Sequence, residues 1–177
     1  ADDISLPQRL QSQLKFMISH PQVDICGSWV NVINKTGQLV GSKKPVNGYE
    51  QIKKALSWYS PVIHPTFFAK RKFYESIGGY NQNFDMAEDY ELLIRAKDRF
   101  KIANIPEILL NLRIWGNRRS GKSMHEIDKK DLSVKLNALK KGYFGPFYIF
   151  TVIRKIIMTY FIPWKIKLYV ANFFNIP

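Results

Sequence analysis

His20-Pro21-Gln22-Val23-Asp24-Ile25-Cys26-Gly27-Ser28-Trp29-Val30-Asn31-Val32-Ile33 is the stretch on which the fold turns. Residues 23–33 are apolar and β-branched over a short span, and read as one or two strands. Upstream, Leu6, Leu10, Leu14 and Met17 recur at helical spacing. Ser5 suits an N-cap with Pro7 in the first turn, and the helix ends near His20-Pro21. Downstream, Thr36-Gly37 signals a turn before Gln38-Leu39-Val40. Residues 48–58 read as a helix with Ile52, Ala55 and Leu56 inward. Residues 62–69 read as a strand, and 71–77 as a short helix closed by Gly78-Gly79. Residues 88–99 read as a helix presenting Leu92, Leu93 and Ala96, followed by short strands at Ile102 and 108–112. Strands alternating with helices predict an α/β domain.

The composition narrows the class. The 177 residues suit one ordinary domain, and 46% hydrophobic with 23% charged residues excludes a disordered chain. The lone Cys26 excludes an internal disulfide framework and points to a reducing compartment. Net charge is +13, which speaks to phosphates, nucleic acid or an anionic membrane as partners rather than to fold.

Two acidic pairs stand out. Asp2-Asp3 precede a helix in an extended stretch. They suit a hard divalent cation, Mg²⁺ or Mn²⁺, that bridges carboxylates to phosphates, or they are a solvated chain start. Glu88-Asp89 open a helix, where acids meet the dipole favourably; one of them could equally be a general base held at a helix start. His64, in Ile63-His64-Pro65-Thr66, reads as a hydrogen-bonded core histidine or a site residue. Arg113 reads as a phosphate ligand or an ion-pair partner. Gly78-Gly79-Tyr80 reads as a tight turn or a substrate loop.

Taken together, these segments resemble family 2 glycosyltransferases. Ala1-Asp2-Asp3-Ile4-Ser5-Leu6-Pro7-Gln8-Arg9-Leu10 is similar to the end of that family's Asp-x-Asp motif and its Pro-x-Arg-Leu helix. His20 to Ser28, Ile63-His64-Pro65-Thr66 and Gly78-Gly79-Tyr80 match later landmarks. Glu88-Asp89-Tyr90-Glu91-Leu92-Leu93-Ile94-Arg95 resembles the Glu-Asp motif and its helix. Ala103-Asn104-Ile105-Pro106-Glu107, Leu109-Leu110 and Arg113 fit the strand after it. The resemblance spans residues 1–115 and implies a partial GT-A-like mixed sheet, a nucleotide-sugar donor (a UDP-sugar) and an inverting transfer to a hydroxyl of a glycan or lipid-linked acceptor in surface polysaccharide synthesis. It implies Asp89 as base with Glu88 orienting the site, and Asp2 and Asp3 as holders of Mn²⁺ or Mg²⁺. His64, Gly79, Tyr80 and Arg113 are implied donor or acceptor contacts. The motif begins before Ala1, so the resemblance also implies a C-terminal portion of an enzyme, inactive alone. Trp115 stands where the family often has His.

Residues 116–136 are polar and basic. Gly116-Asn117-Arg118-Arg119-Ser120-Gly121-Lys122-Ser123 fits a P-loop in letters, but no acidic strand or second parallel unit follows. It reads instead as a basic loop closing on the donor diphosphate through Arg118, Arg119 and Lys122, or as a solvated charge run. Residues 137–177 hold six Lys and Arg, no acid and eleven of the 25 aromatic residues. Uncharged runs of eleven residues (143–153) and nine (156–164) fall short of the ~20 that span a bilayer. The segment reads as an amphipathic helical tail on an anionic membrane, or as a helical pair packed on the domain. The location that follows is cytoplasmic and peripheral at the inner face of the membrane. The alternative function is a basic membrane-surface or nucleic-acid-binding module without catalysis. No helix-turn-helix, zinc or RNP-like pattern favours nucleic acid.

Overall fold

The computed structural model describes residues 2–114 and 124–163. Its sheet is organised on β2 (Ile25–Ile33). Along one side β2 runs parallel to β5 (Ile102–Arg113), from Ile25 opposite Ile102 to Ile33 opposite Arg113. Along the other it is antiparallel to β3 (Leu39–Lys43) and, at its start, to β4 (Phe68–Ala69). β1 (Ile4–Ser5) lies antiparallel on β5, giving the order β1-β5-β2-β3. A mixed sheet flanked by helices is the α/β arrangement expected, consistent with a partial GT-A-like fold.

Ile25, Cys26, Gly27 and Ser28 are all buried, because helices cover both faces of β2 here. That is why the stretch reads as a continuous apolar run rather than an alternation. Ile25 joins a core with Ile52 of α2 (Tyr49–Ala55), Phe73 of α3 (Arg71–Ile77), and Leu92 and Leu93 of α4 (Glu88–Ala96). Cys26 faces the opposite core, with Met17 of α1 (Arg9–Ser19), Ile105 and Leu109. Burial pushes the Cys26 thiol up to about 12, so it stays protonated. α5 (Met124–Lys140) and α6 (Tyr148–Tyr160) extend the first core through Leu132, Val134, Ala138, Tyr148 and Val152.

The structure corrects four expectations. Ser5 is not a helix cap: Ile4 and Ser5 pair with Asn111 and Leu110, and the helix starts at Arg9. Leu10 and Leu14 do not face the core but stand 66% and 53% exposed, while Gln13 and Met17 are buried. The register is set by polar bonds: Gln13 Nε2 donates to the Thr66 carbonyl at 2.7 Å. Residues 62–69 are not one strand. His64–Thr66 form a 3-10 turn, since Pro65 has no N–H for a ladder and the Thr66 hydroxyl donates to the Ile63 carbonyl at 2.7 Å. Residues 102–113 form a single strand. Between the two short strands expected at Ile102 and 108–112 there is a bulge, with the register jumping from Ser28 opposite Ile105 to Trp29 opposite Ile108.

Gly27 is the tightest point. A Cβ there would lie 2.4 Å from Val62 Cγ1, 2.6 Å from Asn104 Oδ1 and 3.0 Å from Thr66 Oγ1. Asn104 Nδ2 donates to the carbonyls of Val46 (2.7 Å) and Pro61 (2.8 Å). Thr66 Oγ1 accepts the Ser28 N–H at 3.0 Å. α5 is anchored by Lys135, 2% exposed, whose ammonium donates to the Ser57 carbonyl at 2.7 Å between the Tyr90 and Tyr148 rings. Burial lowers its pKa to about 8, with Lys155 adding to the effect.

Gly27→Ala is expected to cost roughly 2–3 kcal/mol, the range for overpacking a core, read by urea denaturation. For Lys135 the folded-state pKa is depressed, so between about 8 and 10.5 the unfolded chain binds more protons and stability rises with pH. Melting curves across that window should show this rise in wild type and its loss in Lys135→Met.

Candidate functional site

The site is built where three loops converge on the start of α4. The His64–Thr66 turn is the first. α1 reaches across to hold it: Arg9 donates to the Pro65 carbonyl at 2.6 Å, and Gln13 to that of Thr66. His64 Nε2 then lies 3.0 Å from the Tyr80 hydroxyl, which is 3.3 Å from the Tyr74 hydroxyl. The His64 ring meets Phe67 and Tyr80 edge-on, at 5.0 and 5.6 Å between centroids.

Tyr80 follows the second loop. Gly78 and Gly79 both take left-handed backbone, φ 77° and 68°, which only glycine adopts readily. Arg95 of α4 clamps this turn. Its guanidinium donates to the Gly79 carbonyl at 2.8 Å and to that of Ile77, while pairing with Glu91 at 2.9 Å. Glu91 is 2% exposed, so the pair is held in low dielectric and rigidifies the turn.

The third loop delivers the acids. Met86 has φ 71°, a left-handed backbone that is strained for a side chain of its size. No side chain caps α4, and Glu88, Asp89 and Glu91 occupy its first turn, where the dipole favours anions. Glu88 Oε2 is buried without a hydrogen-bond partner among the described residues. Burial raises the Asp89 carboxyl above its ordinary range; the His64 charge and the Tyr90 N–H oppose the rise, and Glu88 adds to it. Tyr80 is pushed up by burial, by Tyr74 and by the two carboxylates, so it stays a neutral hydroxyl. His64, Tyr80, Glu88 and Asp89 are thus brought together: a half-buried carboxylate able to take a proton, beside a histidine and a phenol that orient polar groups. Gly79 contributes its carbonyl to the clamp.

Asp2 and Asp3 lie beside the end of β5. Asp3 Oδ1 accepts the Arg113 N–H at 2.8 Å. Arg113 does not point outward as a lone cation. Its guanidinium donates to the carbonyls of Asp2 (3.0 Å), Asn34 (3.0 Å) and Lys35 (2.9 Å), tying β1 to the β2–β3 turn. Arg9 ties the His64–Thr66 turn to β1, since it also donates to Ser5 Oγ at 2.9 Å. Among the described residues no three acidic, His or Cys side chains cluster as a metal cage. Arg118, Arg119 and Lys122, with Trp115, lie outside the described residues.

Sequence reading missed Arg9, Gln13, Arg95 and Asn104 as site builders. The Glu91–Arg95 spacing of four was a visible signal of a pair. That Arg95 would seize the glycine turn was not, because the contact spans 16 residues.

No protein-family model matches the chain. It is 33% identical over 116 residues to an uncharacterized glycosyltransferase of Methanocaldococcus jannaschii, covering 64% of this chain and 40% of that protein. It is 32% identical over 126 residues to an O-antigen biosynthesis glycosyltransferase of Escherichia coli, covering 70% and 48%. It is 29% identical over 125 residues to an Escherichia coli UDP-Gal:alpha-D-GlcNAc-diphosphoundecaprenol beta-1,3-galactosyltransferase, covering 68% and 45%. The chain thus spans about half the length of the curated relatives it matches.

The raised Asp89 pKa predicts a stability signature. A carboxyl whose folded pKa exceeds its unfolded value of 3.8 destabilises the fold once ionised, progressively as pH rises through that window. Asp89→Asn should therefore raise Tm by about 2–4 °C at pH 7. The gain should vanish below about pH 4, read by thermal melts at both pH values.

Proposed function

We propose that this chain, which belongs among the glycosyltransferases by its relatives, carries the acceptor-activating part of an inverting sugar transfer from a nucleotide-sugar, a UDP-sugar, to a hydroxyl of a glycan or lipid-linked acceptor in surface polysaccharide synthesis. The observation that carries this reading is the half-buried Asp89 at the head of α4, beside His64, Tyr80 and the unpartnered Glu88 oxygen. In the reaction the acceptor oxygen forms a bond to the sugar's anomeric carbon as the bond from that carbon to the donor phosphate breaks. The acceptor's proton goes to Asp89, and the nucleoside diphosphate leaves. A burial-raised carboxylate is a stronger base than an exposed one. Glu88 orients the acceptor, and His64 and Tyr80 hold it against water.

Asp2 and Asp3 are the proposed holders of Mn²⁺ or Mg²⁺. The fit rests on donor chemistry: two hard carboxylates suffice for a cation whose remaining ligands are phosphates and water, and Arg113 fixes the backbone that presents them. When bound, the ion would supply charge neutralisation for the departing diphosphate. Arg118, Arg119 and Lys122 are proposed to close on the same group.

Residues 1–115 form the transferase portion in this reading, 116–136 the basic loop and helix, and 137–177 a peripheral membrane contact. Among the described residues no helix is long and apolar enough to cross a membrane. The outer face of α6 supports surface contact, with Phe147, Phe150 and Phe161 exposed at 79%, 63% and 74%. Nucleic acid is not a proposed partner. By itself a chain of this span is expected to turn over poorly, so the assay includes an N-terminally extended form.

The test is Mn²⁺-dependent UDP release from a panel of UDP-sugars. Asp89→Asn should lower kcat by about 10²–10⁴-fold, the usual contribution of a positioned base, while the fold persists. Turnover within threefold of wild type would remove Asp89 from its role.

A further inference from the structure

The molecule holds a cavity of about 590 Å³ that the transfer chemistry above does not use. It opens between the β3–α2 connection and α6. Its lining includes Lys43, Lys44, Trp58, Tyr59, Ile63 and Arg154, with three cations and no carboxylate. The Arg154 guanidinium lies over the Trp58 ring at 5.4 Å, and the Lys44 ammonium over Trp29 at 5.5 Å. Trp29 is itself pinned by donating its Nε1–H to the Pro45 carbonyl at 3.0 Å. Among the described residues neither Lys44 nor Arg154 meets a carboxylate within ion-pair distance, whereas the adjacent Lys155 is paired with Asp128 and Asp131. Cations held on ring faces, with no anion of the protein between them, are arranged for an anion from outside.

Two further features identify what kind of anion. Ile63 of the lining directly precedes His64, so the chain that walls the cavity runs on into the turn presenting that histidine. On α6, Arg154 shares a face with Phe150 and Ile157, four residues before and three after it. These are 63% and 46% exposed, and Ile153 beside them is 45% exposed. An apolar ridge therefore flanks the Arg154 that lines the cationic cavity. A free phosphate would use the cations alone, and a bare lipid the ridge alone.

We propose that this cavity is the binding site for the diphosphate of a lipid-linked acceptor. Lys44 and Arg154 take the phosphate oxygens, Trp58 stacks on the first sugar, and the hydrocarbon lies along Phe150, Ile153 and Ile157. The site deepens the transferase reading and rests on it for the identity of the sugar's destination, since it orients the glycan end of the acceptor toward Asp89.

The test is direct binding, by calorimetry in EDTA at constant ionic strength, with no sugar nucleotide present. The probes are farnesyl diphosphate, inorganic pyrophosphate and farnesol. The full chain should bind farnesyl diphosphate at least about tenfold more tightly than either part. The pair Lys44→Gln with Arg154→Gln should weaken farnesyl diphosphate binding about tenfold or more. A charge-matched pair outside the cavity, Lys54→Gln with Lys72→Gln, should leave it within twofold. Equal binding by wild type and the cavity pair overturns the proposal. So does equal loss in the outside pair, which would mean generic attraction, or pyrophosphate binding as tightly as farnesyl diphosphate. Because this readout needs no turnover, failure of the Asp89 assay leaves it standing, and its failure leaves the Asp89 assay interpretable.

Discussion

The parallel pairing of β2 with β5 at Gly27 and Asn104 is the constraint on which the rest of the molecule depends. A hydrogen atom in place of a side chain at Gly27 lets Val62, Thr66 and the Asn104 carboxamide converge on one point. From there Asn104 holds the carbonyls of Val46 and Pro61, and Thr66 receives the Ser28 N–H. One junction thereby sets both the turn that presents His64 and the connection that walls the cationic cavity. Any displacement of it would move the His64 turn and the cavity wall together.

Electrostatically the protein separates its charges by depth. Among the described residues most cations are exposed or half-buried, while Glu88, Asp89 and Glu91 are sunk at the head of α4. Glu91 is neutralised by Arg95 and turned to structural use in clamping the glycine turn. Among the described residues no such cation is bonded to Asp89, and the effect of its burial is opposed by the field of His64 and a backbone N–H. The different fates of two carboxylates two residues apart follow from helix geometry, since only Glu91 has an arginine one turn on.

The helices after β5 do more than cover the core. Lys135 threads between Tyr90 and Tyr148 to reach the Ser57 carbonyl, directly before Trp58. Tyr90, next to Asp89, donates to the neighbouring Leu56 carbonyl at 2.8 Å. The end of α2 is therefore the point at which α4, α5 and the Trp58 platform meet. Lys155 fastens α6 to α5 through Asp128 and Asp131, at 2.9 and 3.2 Å, and leaves Arg154 directed to Trp58.

Local chemistry decided much by itself. The apolar run at 23–33, the glycine pair at 78–79 and the acids opening the helix at 88 each announce a backbone state through their own side chains, so the α/β order and the Glu88-Asp89 position were legible in sequence. The resemblance carried His64 and Tyr80 as site residues, and the fold brings them within hydrogen-bonding distance. What sequence could not show was which face of α1 is inward. Leu10 and Leu14 carry the stronger hydrophobic signal, but the register is chosen by Arg9 and Gln13 bonding to carbonyls more than fifty residues away. Nor could it show that Arg113 would spend its donors on three backbone oxygens, or that Lys44 and Arg154 would face one cavity. Those outcomes depend on contacts between segments distant in the chain. Only tertiary packing sets the distances that decide whether a charge meets a carbonyl, a ring or open space.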